Sequence, residues 1–164
     1  MIFELKTEHH PELILKSFND EMFRSFTFKQ DSAILLHQEI SGNTLQKRRF
    51  HIRKENSIPP LIKRLTGLKD VEFEISEEID ITDYKIPTIF EVSNNNFNLF
   101  CITGKRSIDL DEDGRTIVKY DITVNTKLGN ICKYFIEKTY KQSQLDYFLM
   151  MKKFYIERNI TVQV

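Results

Sequence analysis

The residues of this sequence best suited to metal chemistry are an acidic run and two adjacent histidines. Asp109–Gly114 spaces its carboxylates like the start of a calcium-binding loop, but Tyr120 stands at the twelfth position, where such a loop needs a bidentate Glu. His9 and His10 follow a predicted strand and point in different directions, with no third ligand nearby in sequence. We therefore expect a solvated hairpin turn and a surface turn, with no metal site and no cofactor.

Residues for covalent or acid–base catalysis show no recognisable arrangement. The sequence has no glycine-rich phosphate loop, no nucleophile elbow and no Cys/His pair at a known spacing. His37 and His51 are isolated on predicted strands, which favours partly exposed sheet residues over general bases. Cys101 and Cys132 form no CxxC pair, so we expect two free thiols, with a disulfide as the alternative. Catalysis would need polar side chains inside a cavity, such as Arg106.

The composition limits the class of partner. The 164 residues include 24 basic and 24 acidic side chains, so the chain lacks the excess positive charge of non-specific nucleic-acid binding. It has 13 Phe and no Trp, which supplies apolar material for a core or a pocket wall. We expect no signal peptide, and the sequence has no apolar run of the ~18 residues that span a bilayer. We expect one domain over residues 1–164 in the cytoplasm, with no nucleic-acid partner; transient membrane contact and the oligomeric state stay open.

The spacing of apolar residues predicts an α+β domain. Val71–Ile81 alternates with period two, as a strand does, and Gly129–Arg158 carries the broad apolar stripe of an amphipathic helix about 45 Å long. The predicted strands are Ile2–Glu8, Ala33–Ile40, Thr44–Glu55, Val71–Ile81, Ile86–Ser93, Asn98–Leu110 and Arg115–Asn125. The predicted helices are Pro11–Asn19, a turn in Asp20–Phe26, a short helix at 59–66, and Gly129–Arg158.

One predicted strand is strongly basic, with Lys47–Arg49 and Arg53–Lys54 close together. Contact with nucleic acid or an anionic membrane is one interpretation. The next long strand is acidic, however, and antiparallel pairing of the two strands would place opposite charges side by side. We favour this cross-strand neutralisation over a free basic patch. The acidic residues are Glu72, Glu74, Glu77, Glu78 and Asp80.

The order of elements, together with short motifs, resembles the START-like superfamily, also called the helix-grip or polyketide-cyclase/lipid-transfer fold. The motifs are Ile58-Pro59 through Gly67, Thr103-Gly104, Asp113-Gly114 and Leu128-Gly129. Within the superfamily, the sequence most resembles a bacterial domain family of unknown function. The resemblance implies an antiparallel curved sheet of six to seven strands wrapped around a long C-terminal helix, with a cavity between them that usually takes an apolar or amphipathic molecule. The short helix at 59–66 would be a core-packing connector or a gate at the cavity mouth.

We expect the protein to bind or carry a hydrophobic or amphipathic small molecule, such as a lipid, rather than to act as an enzyme. Because the fold alone does not decide activity, a cyclase or hydrolase with an acid and a base in the cavity is an alternative. An interaction domain whose own side chains fill the cavity is another. The candidate ligand-binding residues on strands are Phe50, Ile52, Phe73, Ile75, Phe90, Phe100, Ile102, Val118, Tyr120 and Ile122. Those on the last helix are Ile136, Tyr140, Ser143, Tyr147 and Met151.

Overall fold

A computed structural model of the chain describes residues 1–55, 60–67, 70–94 and 99–156, which form one antiparallel sheet with helices against it. The strands are β1 (Ile2–Thr7), β2 (Ala33–Ser41), β3 (Leu45–Lys54), β4 (Val71–Asp80), β5 (Thr88–Asn94), β6 (Phe100–Leu110) and β7 (Thr116–Thr126). The helices are α1 (Pro11–Asn19), α2 (Glu21–Gln30), α3 (Pro60–Thr66) and α4 (Asn130–Met151), and α4 continues into a π-helical segment over Lys152–Ile156.

The seven strands lie in the order β1-β7-β6-β5-β4-β3-β2, and every neighbouring pair is antiparallel. From β2 to β7, strands that follow each other in sequence also lie side by side in the sheet. The predicted α+β class and the predicted number of strands are confirmed. Most element ends fall within one or two residues of the prediction. Ile58, Pro59, Asn98 and Arg158, which belong to predicted motifs or element ends, lie outside the described residues.

The junction between α1 and α2 is organised by Asp20. Its Oδ1 accepts hydrogen bonds from the backbone N–H groups of Met22 and Phe23, at 3.0 and 3.1 Å, and so caps the start of α2. The sequence predicted only a turn over Asp20–Phe26, whereas α2 continues to Gln30. The prediction was too short because the helix is held by tertiary packing: Phe23 and Phe26 contact aromatic rings at the far end of the chain.

The outer face of the sheet, away from the helices, carries the cross-strand ion pairs that the sequence predicted. Lys47 pairs with Glu78 at 3.7 Å, and Arg49 Nε lies 3.3 Å from Glu74 Oε1. Farther along the same strands, Arg53 Nη2 lies 3.0 Å from Glu72 Oε1. The predicted neutralisation is thus confirmed for these pairs. Exposed pairs of this kind contribute only ~0.2–1 kcal/mol each, so they mainly support the register of β3 against β4.

The long helix α4 lies over one side of the sheet, in contact with β1 and β7, and its C-terminal end meets α2. The predicted single helix Gly129–Arg158 is instead an α-helix that ends at Met151 and is followed by the π-helical segment. That segment buries Tyr155, whose Oη donates to Asp20 Oδ2 at 2.7 Å. The end of the helix is therefore tied to the same aspartate that caps α2.

Gly104 on β6 allows the inner face of the sheet, toward the helices, to pack closely. It pairs in register with Phe90 of β5 and Ile122 of β7. A Cβ at this position would lie 2.7 Å from Phe90 Cζ and 2.9 Å from the backbone oxygen of Asp121. The ring of Phe90 thus occupies the space that a side chain would need.

We predict that Gly104→Ala lowers the free energy of unfolding by about 1–3 kcal/mol, since the new methyl group overpacks this site. Urea denaturation at neutral pH measures the change. Ser107→Ala is the control, because Ser107 lies on the outer face of the same strand and should change stability by no more than about 0.5 kcal/mol. Equal midpoints for the Gly104 variant and the unmodified protein would contradict the prediction.

Candidate ligand-binding cavity

A cavity of about 390 Å³ lies between the inner face of the sheet and the helices α1, α2 and α4. Its sheet side is formed by β3, β4, β5 and β6. The long helix α4 makes most of its contacts with the sheet at β7 and β1, and the cavity lies beside this contact, over β3 to β6. One end of the cavity lies near exposed surface, at the end of α2. The residues that line it there are Phe28, Asp31, Ala33 and Lys54.

Eleven of the fifteen side chains predicted to contact a ligand line this cavity. They are Phe50, Ile52, Phe73, Ile75, Phe90, Phe100, Ile102, Ile136, Tyr140, Ser143 and Tyr147. The other four do not belong to the lining. Val118, Tyr120 and Ile122 lie on β7, where α4 covers the sheet, and all three are buried. Met151 is fully buried at the end of α4. Ligand contact by any of the fifteen stays a prediction.

An ion pair lies within this largely apolar wall. Arg48 of β3 and Glu77 of β4 are directly opposite each other in register, and their side chains are 3% and 10% exposed. Arg48 donates from Nε and Nη2 to Glu77 Oε1, at 2.9 and 2.5 Å, and from Nη1 to Asn19 Oδ1 of α1 at 2.6 Å. All three nitrogens of this guanidinium are thus engaged, and the charge of Glu77 is balanced by Arg48.

Arg106 of β6 is the second buried arginine of the cavity. Its guanidinium carbon lies 3.7 Å from the centre of the Phe18 ring, and its side chain is 10% exposed. Nη2 lies 3.8 Å from Glu77 Oε2, too far for a hydrogen bond. Within the part of the chain that the structure describes, Nε and Nη2 of Arg106 have no hydrogen-bond partner.

A third arginine, Arg24 of α2, lies against the ring of Phe50 at 4.7 Å and donates to the backbone oxygen of Phe18 at 3.3 Å. Burial lowers the pKa of Arg24, and the nearby charge of Arg48 acts in the same direction. Arg24, Arg48 and Arg106 therefore line the cavity together with Glu77, while the other lining carboxylate, Asp31, lies beside Lys54 at the exposed end. With four cationic and two acidic side chains, the lining has a formal charge of +2.

Sequence reasoning missed this charged group although a signal for it exists. Side chains alternate between the two faces of a strand, so Arg48 shares a face with Phe50 and Ile52. By the same alternation, Glu77 falls on the face of Ile75. The sequence analysis named Arg106 as a cavity candidate, but it grouped Arg48 and Glu77 with the other cross-strand charges of the two strands.

Three tyrosine hydroxyl groups lie within electrostatic reach of Arg106. Tyr120 Oη donates to Gln144 Oε1 at 3.0 Å, and Tyr147 Oη lies 2.8 Å from Ser17 Oγ. Burial raises the pKa of Tyr120 to about 12 and also raises the pKa values of Tyr140 and Tyr147, while the charge of Arg106 acts in the opposite direction on all three. These hydroxyl groups are therefore protonated near neutral pH and are able to donate hydrogen bonds.

The other candidate groups from the sequence are structural. Gly114 has φ +78°, and Asp111 Oδ1 accepts from the N–H groups of Asp113 and Arg115, so the acidic run is the hairpin turn that was predicted. Across the described ranges, no three His, Cys, Asp or Glu side chains are placed to hold a metal ion. The described part of α3 contributes no residue to the cavity lining.

The two cysteines are free thiols, as expected, with Cys132 buried and Cys101 partly exposed. None of the described helices is both long enough and apolar enough to cross a bilayer.

The fold is similar to that of two solved structures. The Zhui aromatase/cyclase from Streptomyces sp. R1128 superposes with a TM-score of 0.56 at 10% sequence identity, covering 99% of this chain and 95% of that chain. TTHA0849 from Thermus thermophilus superposes with a TM-score of 0.54 at 13% identity, covering 93% and 94%. No protein-family model and no curated protein sequence matches this chain. The predicted helix-grip fold is confirmed. The finer resemblance, to a bacterial domain family of unknown function, stays a prediction.

We predict that Arg48→Met lowers the free energy of unfolding by about 3–5 kcal/mol, because it leaves the buried carboxylate of Glu77 without its main partner. Arg49→Met is a matched control: the neighbouring residue has the same side-chain type, is 56% exposed and pairs with Glu74 on the outer face. We expect this control to cost no more than about 1 kcal/mol. Urea denaturation measures both; similar losses for the two variants would show that Arg48 is not a buried ion-pair partner.

We also predict that the protein loses stability steeply above pH 10. Tyrosines of the unfolded chain ionise near pH 10, whereas the buried tyrosines of the folded protein keep their protons to higher pH, about 12 for Tyr120. The raised pKa therefore contributes stability that is present below pH 10 and is lost as the pH rises toward 12. Urea midpoints from pH 8 to 11 measure the loss. It should be smaller in Tyr120→Phe, and an unchanged pH dependence would contradict the assignment.

Proposed function

We propose that this protein binds or carries a hydrophobic or amphipathic small molecule in the cavity between its sheet and its helices. The observation that carries the proposal is the cavity itself: its volume of about 390 Å³ falls within the range of ~300–1,000 Å³ that is typical of small-molecule sites. Its wall combines many apolar side chains with a small group of polar ones, which is also typical of such sites.

The apolar part of the wall supplies a means of binding. Phe73 and Phe100 pack against each other at a centroid distance of 6.0 Å, and Phe50, Ile102 and Ile136 line other parts of the same cavity. An apolar ligand placed among these side chains is removed from water, at about 25 cal/mol per Å² of apolar surface buried. Such contacts hold a ligand without selecting one exact shape, which suits a carrier.

The position of the charged groups favours binding over acid–base catalysis. Two carboxylates line the cavity: Glu77 is held by Arg48, and Asp31 lies 4.0 Å from Lys54 at the exposed end. No histidine or cysteine is among the described residues of the lining. A cyclase or hydrolase would need an acid and a base that face its substrate. The empty volume also counts against an interaction domain whose own side chains fill the interior.

We predict that Ser143→Leu weakens the binding of an apolar ligand at least about tenfold, or ~1.4 kcal/mol, since the larger side chain occupies part of the cavity. Ser143 lines the cavity from the middle of α4, where leucine is also a good helix former. Titration with the neutral dye Nile red, followed by fluorescence, measures the affinity. Gln142→Leu is the matched control, because Gln142 is the adjacent, exposed residue of the same helix.

The control variant should bind the dye like the unmodified protein, and both variants should remain folded by circular dichroism. Native mass spectrometry and solvent extraction of the purified protein test for a ligand acquired in the cell. Protein that never carries a ligand and never binds an apolar dye would overturn the proposal. Equal dye binding by Ser143→Leu and the unmodified protein would place the binding elsewhere.

A further inference from the structure

We propose that the ligand of this cavity is an amphipathic acid, whose apolar body lies among the phenylalanines and whose carboxylate is bound by Arg106. This inference rests on the proposed function and names the chemical class of the ligand. It is drawn from the unbalanced charge of the cavity lining, where four cationic side chains stand against two carboxylates.

The first step of the argument is that two of the three guanidinium nitrogens of Arg106 lack hydrogen-bond acceptors in the described protein. Its side chain is nine-tenths buried, yet Nε and Nη2 lack hydrogen-bond partners in the described ranges. The nearest carboxylate, Glu77, already accepts two hydrogen bonds from Arg48 on its other oxygen, Oε1. Buried N–H groups of a charged guanidinium that lack acceptors are unfavourable, so a ligand that supplies the missing acceptors is favoured.

The second step is that the guanidinium is held in place. The stacking of Arg106 on the Phe18 ring, at 3.7 Å, fixes the plane of the side chain, and the group lines the cavity. Little rotamer entropy is then lost on binding, which makes a pre-oriented arginine an effective binding group. The N–H groups of Nε and Nη2 lie in the plane of the guanidinium, so together they match the two oxygens of a carboxylate.

The third step concerns the hydroxyl of Tyr140, which also lines the cavity. Among the described residues it has no hydrogen-bond partner, whereas the hydroxyls of Tyr120 and Tyr147 are engaged. Tyr140 lines the same cavity as Arg106, and burial raises the pKa of its hydroxyl, which keeps its proton. It is therefore a further donor available to an anion in this cavity.

The size of the cavity selects among anionic molecules. A volume of about 390 Å³ is near the lower end of small-molecule sites, which favours one compact apolar body with a single acidic group over a two-chain phospholipid. The apolar body could be an alkyl chain or an aromatic ring system, and both would place the same carboxylate chemistry at Arg106.

The test compares each acid with the alcohol of the same skeleton, using displacement of Nile red from the full chain. Dodecanoic acid against 1-dodecanol tests an alkyl body, and 2-naphthoic acid against 2-naphthalenemethanol tests an aromatic one. In at least one pair, we expect the unmodified protein to prefer the acid at least tenfold. Arg106→Gln should abolish this preference for the acid and leave the affinity for the alcohol within about threefold. Arg106→Lys keeps the positive charge but loses the planar pair of N–H donors, so it should retain part of the preference.

Arg49→Gln is the control for a general loss of positive charge, since Arg49 is exposed on the outer face, and it should keep the full preference. If the dye and both alcohols bind but neither acid is preferred, this inference is overturned and the proposed function stands. The same conclusion follows if Arg106→Gln keeps the preference. If neither the dye nor any of the four compounds binds, the proposed function fails as well. Should Arg106→Gln not fold, a threefold or greater loss of preference in Arg106→Lys supports the inference, and no loss overturns it.

Discussion

The ion pair between Arg48 and Glu77 is the interaction on which the inner face of the sheet depends. It joins β3 to β4 in register, and through Asn19 it also fixes α1 relative to both strands. Both side chains are almost fully buried and hydrogen-bonded within the protein, so leaving either one unpaired would cost about 3–5 kcal/mol. The long helix makes most of its contacts with the sheet at β7 and β1, beside this pair. The cavity is the space that this arrangement leaves.

The fold was largely predictable because its signals are local. Alternation of apolar residues defines the strands, and the C-terminal amphipathic stripe defines α4. What was missed depends on contacts between distant parts of the chain. The last turns of α2 are stabilised by Phe26 against Phe154, more than a hundred residues away, and no local pattern reports such a contact. The π-helical segment after Met151 likewise has no signature in the spacing of apolar residues.

The apolar side chains of the site could be predicted from the sequence, but the boundary of the cavity could not. Alternation identifies which side chains of β3–β6 face inward, and these side chains do line the cavity. It does not say which strands a helix will cover, because that depends on where α4 crosses the sheet. Val118 and Ile122 face inward like Phe50 but lie beneath the helix. Arg48 was misplaced for a different reason: it stands between two cations, Lys47 and Arg49, that face outward, while its own side chain faces the cavity.

The two ends of α2 differ in their contacts because Asp20 bonds only the first turn to the rest of the protein. One of its carboxylate oxygens caps the first turn of the helix, and the other accepts the hydroxyl of Tyr155 from the C-terminal segment. The last turn, by contrast, borders the exposed end of the cavity through Phe28 and Asp31. The start of α2 is thus bonded to the C-terminal segment on the side of the aromatic core, while its end forms part of the cavity border beside Lys54. One helix therefore links the closed core of the protein to the exposed side of the cavity.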